Sequence, residues 1–138
     1  MLRRSRRRGR GDSVVRLTAV QLLLVGTGGA VGAVLRVIVS GLVPAGRLPW
    51  GTLLVNVAGS ALMGWLMARL GEPDAGNARW HALLTVGLCG GFTTFSAFSW
   101  QLWEQARSAR PELLLGHALL AVCSCFIATW LGWRLGRT

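Results

Sequence analysis

Four long apolar stretches, separated by short segments rich in proline, glycine and charge, constrain the fold of this chain more than any other feature. They cover residues 17–43, 51–70, 80–103 and 113–135. Each stretch reaches the roughly 20 residues that an α-helix needs to cross the hydrocarbon core of a bilayer. None of them alternates polar and apolar residues as a membrane barrel strand does. The sequence therefore predicts an all-α integral membrane protein, with four transmembrane helices in one domain over residues 17–138.

The composition agrees with a membrane protein and excludes several classes of function. Of the 138 residues, 52% are hydrophobic and 14% are charged, whereas a soluble domain carries about 25% charged residues. The three cysteines lie in apolar stretches and indicate neither a disulfide framework nor a zinc site. No Asp, Glu or Lys lies within the four stretches. An enzyme would therefore lack its acid, base and nucleophile, and a proton-coupled small-molecule exporter would lack its intramembrane carboxylate.

Residues 1–16 form an arginine-rich tail. The tail contains seven Arg and one Asp, and so supplies +6 of the net charge of +10. No folded nucleic-acid-binding motif accompanies it, and the apolar run that follows is too long for a signal peptide. The positive-inside rule instead predicts a cytoplasmic tail. With the N-terminus inside, eleven Arg lie on the cytoplasmic side and three lie outside, but without residues 1–10 the counts are five and three. The tail therefore sets the predicted orientation.

The third apolar stretch contains the strongest local signal, GLCGGFTTFSAFS over residues 87–99. Two adjacent glycines and two adjacent threonines disfavour a continuous helix, and so we expect a break near Gly90–Thr94. Irregular backbone at membrane depth is tolerated only where it is buried in protein or lines a cavity, and its freed carbonyls can bind a cation. Beyond the break, Phe95 and Phe98 are three residues apart and share a helix face. Because they lie beside a break, we interpret them as part of a site rather than as core residues.

The other polar groups in the stretches are mostly neutral. Asn56 lies in the middle of the second stretch with Ser60 on the same face, and its amide either joins helices or lines a polar pathway. Arg36, near the end of the first helix, either extends to the bilayer interface or holds a polar neighbour. Amides, hydroxyls and the positive edges of Phe rings suit a small dehydrated anion, and conduction requires modest binding at several sites. The composition therefore permits an anion pore without proving one.

Three segments taken in order resemble the CrcB/Fluc family of fluoride channels. They are GGAVGAVLR over residues 28–36, PWGTLLVNVAGS over residues 49–60, and the segment over residues 87–99 quoted above. The resemblance extends over about residues 18–136. The three segments in this order are highly specific, although each one alone would be a weak signal.

The resemblance implies a function and a set of sites. Members of the family are four-helix proteins that form antiparallel dimers in the cell membrane and let fluoride leave the cytoplasm passively, which relieves fluoride toxicity. Two fluoride pathways run along the dimer interface. By matching position, the pathway would include Asn56, Phe95, Phe98, Thr94 and Ser96. The backbone around Gly90 and Thr93 would bind a structural sodium ion at the dimer centre, and Arg36 would have a structural role.

The fourth helix departs from the family pattern. His117 lies where many members have Tyr, Ala121 lies where many have Ser or Thr, and Ser124 is one turn away from that register. We therefore expect an incomplete polar face on this helix. His117 itself is either a titrating gate or a hydrogen-bonded histidine at an interface.

The assembly has two predicted forms. The resemblance implies either a homodimer whose subunits insert in both orientations or a heterodimer with an oppositely oriented homologue. Because the tail favours one orientation, we expect the heterodimer. A subunit that does not conduct by itself, or that only supports assembly, is the alternative function. Fluoride, sodium and membrane lipid are the expected partners, and nucleic acid is not.

Overall fold

The computed structural model describes residues 18–44, 46, 48–108 and 111–138, except for the side chains of residues 111–113. The arginine-rich tail predicted over residues 1–16 lies outside the described residues. Every regular element within them is a helix. Four spans are long and apolar enough to cross a membrane, namely Ala19–Gly41, Trp50–Leu70, Ala78–Arg107 and Leu114–Gly136. The predicted all-α fold with four transmembrane helices is confirmed.

The first two spans are continuous helices with distinct ends. α1 covers Ala19–Gly41 and begins at Thr18, whose hydroxyl accepts a hydrogen bond from the N–H of Gln21, while the N–H of Thr18 donates to Oε1 of Gln21. This capping box satisfies N–H groups that the start of a helix otherwise leaves unpaired. α2 covers Trp50–Leu70 and ends at Gly71, whose φ of 68° favours glycine.

The third span is divided into two helices by a two-residue break. α3 covers residues 78–92, and α4 covers Phe95–Arg107. Between them Thr93 has φ and ψ of −82° and 159°, and Thr94 has φ and ψ of −149° and 115°. Both residues are therefore extended, and the break predicted near Gly90–Thr94 is confirmed at the C-terminal end of that range.

Most of α3 is a π-helix, which the sequence analysis did not predict. The π-helical turns cover His81–Cys89 and lie between α-helical turns at Ala78–Trp80 and Gly90–Phe92. Such turns occur frequently at functional sites. Here they lead directly into the segment that contains the break.

Glycines bring the helices into direct backbone contact. α1 packs mainly on α3, and α2 packs mainly on α5, which covers Pro111–Gly136. A Cβ atom at Gly32 would overlap the carbonyl oxygen of Leu88 in α3, and one at Gly64 would overlap the carbonyl oxygen of Thr129 in α5. Because lipid removes the hydrophobic drive for helix association, such close approach is a main source of packing energy in membranes. The two tight helix pairs hold the break in place between them.

Candidate functional site

The side chain of Asn56 is hydrogen-bonded to the main chain of Thr94 in the break. The N–H of Thr94 donates to Oδ1 of Asn56 at 2.8 Å, and Nδ2 of Asn56 donates to the carbonyl oxygen of Thr94 at 3.1 Å. In a continuous helix, the same N–H would donate to the carbonyl of Gly90, four residues earlier. Asn56 therefore satisfies backbone groups that water cannot reach in the hydrocarbon core of a bilayer. The sequence predicts that this amide either joins helices or lines a polar pathway. Here it joins α2 to the break.

An open groove of about 450 Å³ lies beside the break, between α2, α4 and α5. The predicted pathway residues that line the groove are Asn56, Thr94, Phe95 and Phe98. Ser96 is outside the lining, but its Oγ lies 3.3 Å from Oγ1 of Thr94. The fold thus brings residues from two separate parts of the sequence into one groove. Asn56 therefore lines the groove in addition to joining α2 to the break.

The two phenylalanines of the groove have different environments. Their ring centroids are 5.8 Å apart, and the ring planes form an angle of 57°. Phe98 is only 7% exposed, and its ring meets the imidazole of His117 edge-on, with 5.4 Å between centroids. Phe95 is 78% exposed. Phe98 is therefore a fixed part of the groove wall, whereas the ring of Phe95 projects from it.

α5 contributes polar groups to the groove that the sequence analysis missed. Ala121 lines the groove, and Cys125 and Thr129 follow it at intervals of four residues. The hydroxyls of Ser124 and Thr129 both donate to carbonyls within α5, at 2.6 Å to Leu120 and at 3.0 Å to Cys125, but only Thr129 lines the groove. The face of α5 that lines the groove therefore has no polar group at Ala121, as expected, but the thiol of Cys125 and the hydroxyl of Thr129 are polar groups further along the same face. Extending the four-residue spacing along this helix would have found both groups.

A second cavity, of about 700 Å³ and called the mouth cavity below, opens where the α1–α2 connection meets α4. Its lining includes Ser40, Pro49, Thr52, Gln101, Glu104 and Gln105. Nε2 of Gln101 donates to Oγ1 of Thr52 at 2.7 Å, and Oε1 of Gln105 lies 3.3 Å from Nδ1 of His117. The sequence analysis did not single out the two glutamines, because they lie outside the segment over residues 87–99. Helical spacing from Phe98 would have placed Gln101 on the same face.

The break also leaves carbonyl oxygens without their usual helical donors. The N–H of Thr94 is bonded to Asn56, and the N–H of Ala97 donates to Oγ1 of Thr94 at 3.2 Å. The carbonyls of Gly90 and Thr93 lie four residues before these two N–H groups, and so lack the partners that a continuous helix would supply. Unwound backbone carbonyls coordinate sodium in membrane proteins. The donor set therefore fits the predicted ion.

Neither another metal site nor a role for Arg36 emerges from the described residues. These residues contain no group of three or more His, Cys, Asp or Glu side chains that could hold a metal ion. Arg36 is half-buried near the C-terminal end of α1 and lies outside the linings of the groove and the mouth cavity. Its structural role stays a prediction.

Comparison with known proteins gives a consistent result. The model of the family described as "CrcB-like protein, Camphor Resistance (CrcB)" matches residues 23–133. The fluoride-specific ion channel FluC of Rhodospirillum rubrum is 40% identical over 117 residues, which cover 80% of this chain and 89% of the relative. The protein of the same name from Chelativorans sp. is 42% identical over 117 residues, covering 80% of this chain and 94% of the relative. That from Leptospira interrogans is 38% identical, with 80% and 92% covered.

We predict that Asn56→Leu lowers the thermal stability of the purified protein in detergent. The substitution leaves the N–H and the carbonyl of Thr94 unpaired, and each unpaired buried group costs roughly 1–3 kcal/mol. Ser60→Ala is the matched control, because Ser60 lines the same groove from the same helix. Thermal midpoints measured by loss of the monodisperse species should fall clearly for Asn56→Leu and little for Ser60→Ala. Equal midpoints for the two variants would contradict the role given to the amide.

Proposed function

This chain belongs to the family of CrcB-like proteins, and we infer that it is a subunit of a fluoride-specific ion channel that crosses the membrane several times. The observation that carries this conclusion is the groove, where the amide of Asn56 and the rings of Phe95 and Phe98 meet beside a broken helix. The protein is a channel and not an enzyme. A non-conducting subunit is not favoured, because all three of these groups are present and share one groove.

Fluoride in the groove would meet neutral hydrogen-bond donors and ring edges. Nδ2 of Asn56 carries two hydrogens, of which one bonds the carbonyl of Thr94 and the other is available. The hydroxyl of Thr94 and the positive edges of the Phe95 and Phe98 rings add further weak interactions. None of the described residues that line the groove is charged. Several weak contacts in place of one fixed cation are what rapid conduction requires, because a strong site would retain the anion.

The proposed structural cofactor is a sodium ion held by the carbonyls of Gly90 and Thr93. Gly90 is exposed, and a Cβ atom at this position would meet nothing within 4 Å. The main chain at Gly90 is therefore open to the surface, where a second subunit could share the ion. When bound, the ion would offset the negative ends of the carbonyl dipoles next to the anion pathway.

The proposed assembly is an antiparallel dimer that covers the groove. The groove is open along one side in a single subunit, and Phe95 at its edge is 78% exposed. A second subunit would exclude lipid from this polar surface and complete the pathway. The second subunit is either another copy of this chain or an oppositely oriented homologue.

The proposed orientation places the N-terminus in the cytoplasm. Three Arg side chains stack on Trp rings four residues earlier, namely Arg69 on Trp65 at 5.9 Å, Arg134 on Trp130 at 5.3 Å and Arg137 on Trp133 at 4.5 Å. Successive spans cross the membrane in opposite directions, so α2 and α5 both end on the side where α1 begins. These Arg–Trp pairs add interfacial anchors on the side of the arginine-rich tail.

We expect Phe95→Ile to lower fluoride efflux from reconstituted liposomes at least tenfold, equivalent to roughly 1.4 kcal/mol, because isoleucine has no positive ring edge. Phe126→Ile is the matched control, since Phe126 is also strongly exposed, at 75%, but lies outside the groove lining. Efflux is read with a fluoride electrode, and chloride efflux is measured in parallel. Full fluoride efflux by Phe95→Ile would show that the pathway has been misplaced. Asn56→Asp is a less specific test, because it also removes a donor to the break.

The sodium proposal predicts a stability difference between salts. Purified protein in sodium chloride should have a higher thermal midpoint than protein in choline chloride at the same ionic strength, because an ion that binds only the folded state stabilises it. Potassium chloride is the control for a nonspecific effect of inorganic cations. Identical midpoints in sodium and choline would refute a sodium site.

The orientation proposal predicts that the tail controls topology. Cysteine-accessibility tags at both termini should report one orientation for the full chain, with the N-terminus inside, because positive charge is retained in the cytoplasm. Deletion of residues 1–10 should increase the N-out fraction. Equal amounts of both orientations in the full chain would refute an obligatory heterodimer and favour the homodimer.

A further inference from the structure

His117 lies between the groove and the mouth cavity. Its side chain is 2% exposed. Its ring meets that of Phe98, which lines the groove, at an angle of 85°, and its Nδ1 lies 3.3 Å from Oε1 of Gln105, which lines the mouth cavity. His117 is in neither lining but contacts one lining residue of each cavity, and the region around Phe98, Gln101, Gln105 and His117 is called the wall below.

The contact with Gln105 determines which nitrogen of the neutral imidazole carries the proton. An amide oxygen only accepts hydrogen bonds, so Nδ1 of His117 donates and Nε2 is left as an acceptor. Nε2 is buried and has no hydrogen-bond partner among the described residues. Oε1 of Gln101, one helical turn before Gln105, is a second buried acceptor without a partner there. The wall thus contains two unpaired acceptors, each of which carries a desolvation cost.

The helices packed against His117 bring few charges to this wall. The titratable residue of α2 is Arg69, at the opposite end of that helix. On α4, Glu104 and Arg107 are both exposed, and Glu104 lines the mouth cavity. Along α5, the described titratable groups other than His117 are Cys123, Cys125 and Arg134. Among the described side chains, a proton on His117 would therefore place a positive charge where the nearest charged group is the exposed Glu104 of the mouth cavity.

We propose that His117 is a proton-binding residue that makes fluoride passage between the mouth cavity and the groove dependent on pH. Protonation of Nε2 converts a buried acceptor into a donor, and the ring then offers an N–H and a positive charge to an anion. In the neutral state, the same atom presents a lone pair that repels fluoride. This inference rests on the proposed function as a fluoride channel.

The expected direction is faster fluoride transport at lower pH. At subsaturating fluoride, entry of the anion rather than its release limits efflux, and a positive charge behind the lining residues raises the rate of entry. We therefore expect fluoride efflux at subsaturating fluoride to rise about tenfold on protonation. By linkage, fluoride should raise the pH at which His117 takes up its proton, because each ligand strengthens the binding of the other.

The test is fluoride efflux from liposomes of the full chain between about pH 8 and about pH 5.5, the range in which imidazole titrates. Protein-free liposomes give the leak of neutral hydrogen fluoride, which is subtracted at each pH. Efflux by the unsubstituted protein should rise on acidification. His117→Gln should remove this rise, because an amide does not titrate. His117→Tyr should give efflux that is also independent of pH, because a phenol supplies a donor without a charge change in this range.

His81→Gln is the matched control. His81 is also buried, at 5% exposed, and its Nε2 likewise has no partner among the described residues. His117 and His81 are both outside the linings of the two cavities. However, the ring of His117 contacts Phe98 and Gln105, which line them, whereas His81 lies in α3 and its ring has no such contact among the described residues, so this variant should keep the pH response. The same pH profile in the unsubstituted protein and His117→Gln would overturn the inference, as would loss of the response in His81→Gln alone.

A second measurement does not depend on a variant that folds. Carbon NMR of labelled imidazoles in the unsubstituted protein should show that fluoride, but not chloride, raises the midpoint pH of His117. An unchanged midpoint would overturn the inference. Absence of protein-dependent fluoride efflux at every pH, both from this chain alone and from this chain co-expressed with an oppositely oriented homologue, would instead refute the proposed channel function. Fluoride efflux without any pH response would refute the role of His117 alone.

Discussion

The pair of hydrogen bonds between the Asn56 amide and the main chain of Thr94 is the interaction on which the rest of the site depends. A break in a membrane-spanning helix exposes backbone groups that have no water to satisfy them. Asn56 supplies both a donor and an acceptor from a neighbouring helix, so Thr93 and Thr94 can remain extended. The extended backbone in turn leaves the carbonyls of Gly90 and Thr93 without the donors of a continuous helix. A new helix begins at Phe95.

The groove and the wall beside it use polar groups in different ways. In the groove, the polar groups are neutral, and some of them already form hydrogen bonds within the protein. Any single interaction with an anion there would therefore be weak. In the wall, His117 has one nitrogen directed to Gln105 and another without a partner among the described residues. Phe98 contacts both regions, since it lines the groove and meets the imidazole ring. A change of charge at His117 would therefore act directly beside the aromatic part of the proposed pathway.

Sequence reasoning succeeded where a local pattern has one physical solution. Apolar stretches of membrane-spanning length determine the four helices, and Gly-Gly followed by Thr-Thr determines the break. It missed groups that belong to no such pattern. The π-helix over His81–Cys89 lies where α3 packs closely against the glycines of α1. Helical spacing places Cys125 and Gln101 on the relevant helix faces, but only the packing of α5 and α4 beside α2 shows that these faces line cavities.

The sequence by itself determined the membrane location, the four helices, the broken third span and the family resemblance, because hydrophobicity, helix propensity and motif order are properties of neighbouring residues. Only the tertiary structure decided which backbone groups Asn56 bonds, that Phe98 is buried while Phe95 is exposed, and that Nε2 of His117 has no partner among the described residues. These outcomes depend on contacts between helices that are distant in sequence. Such contacts follow from the close approach of backbones at glycines such as Gly64. The spacing of small residues marks where a close approach can occur, but it does not specify which helix is the partner.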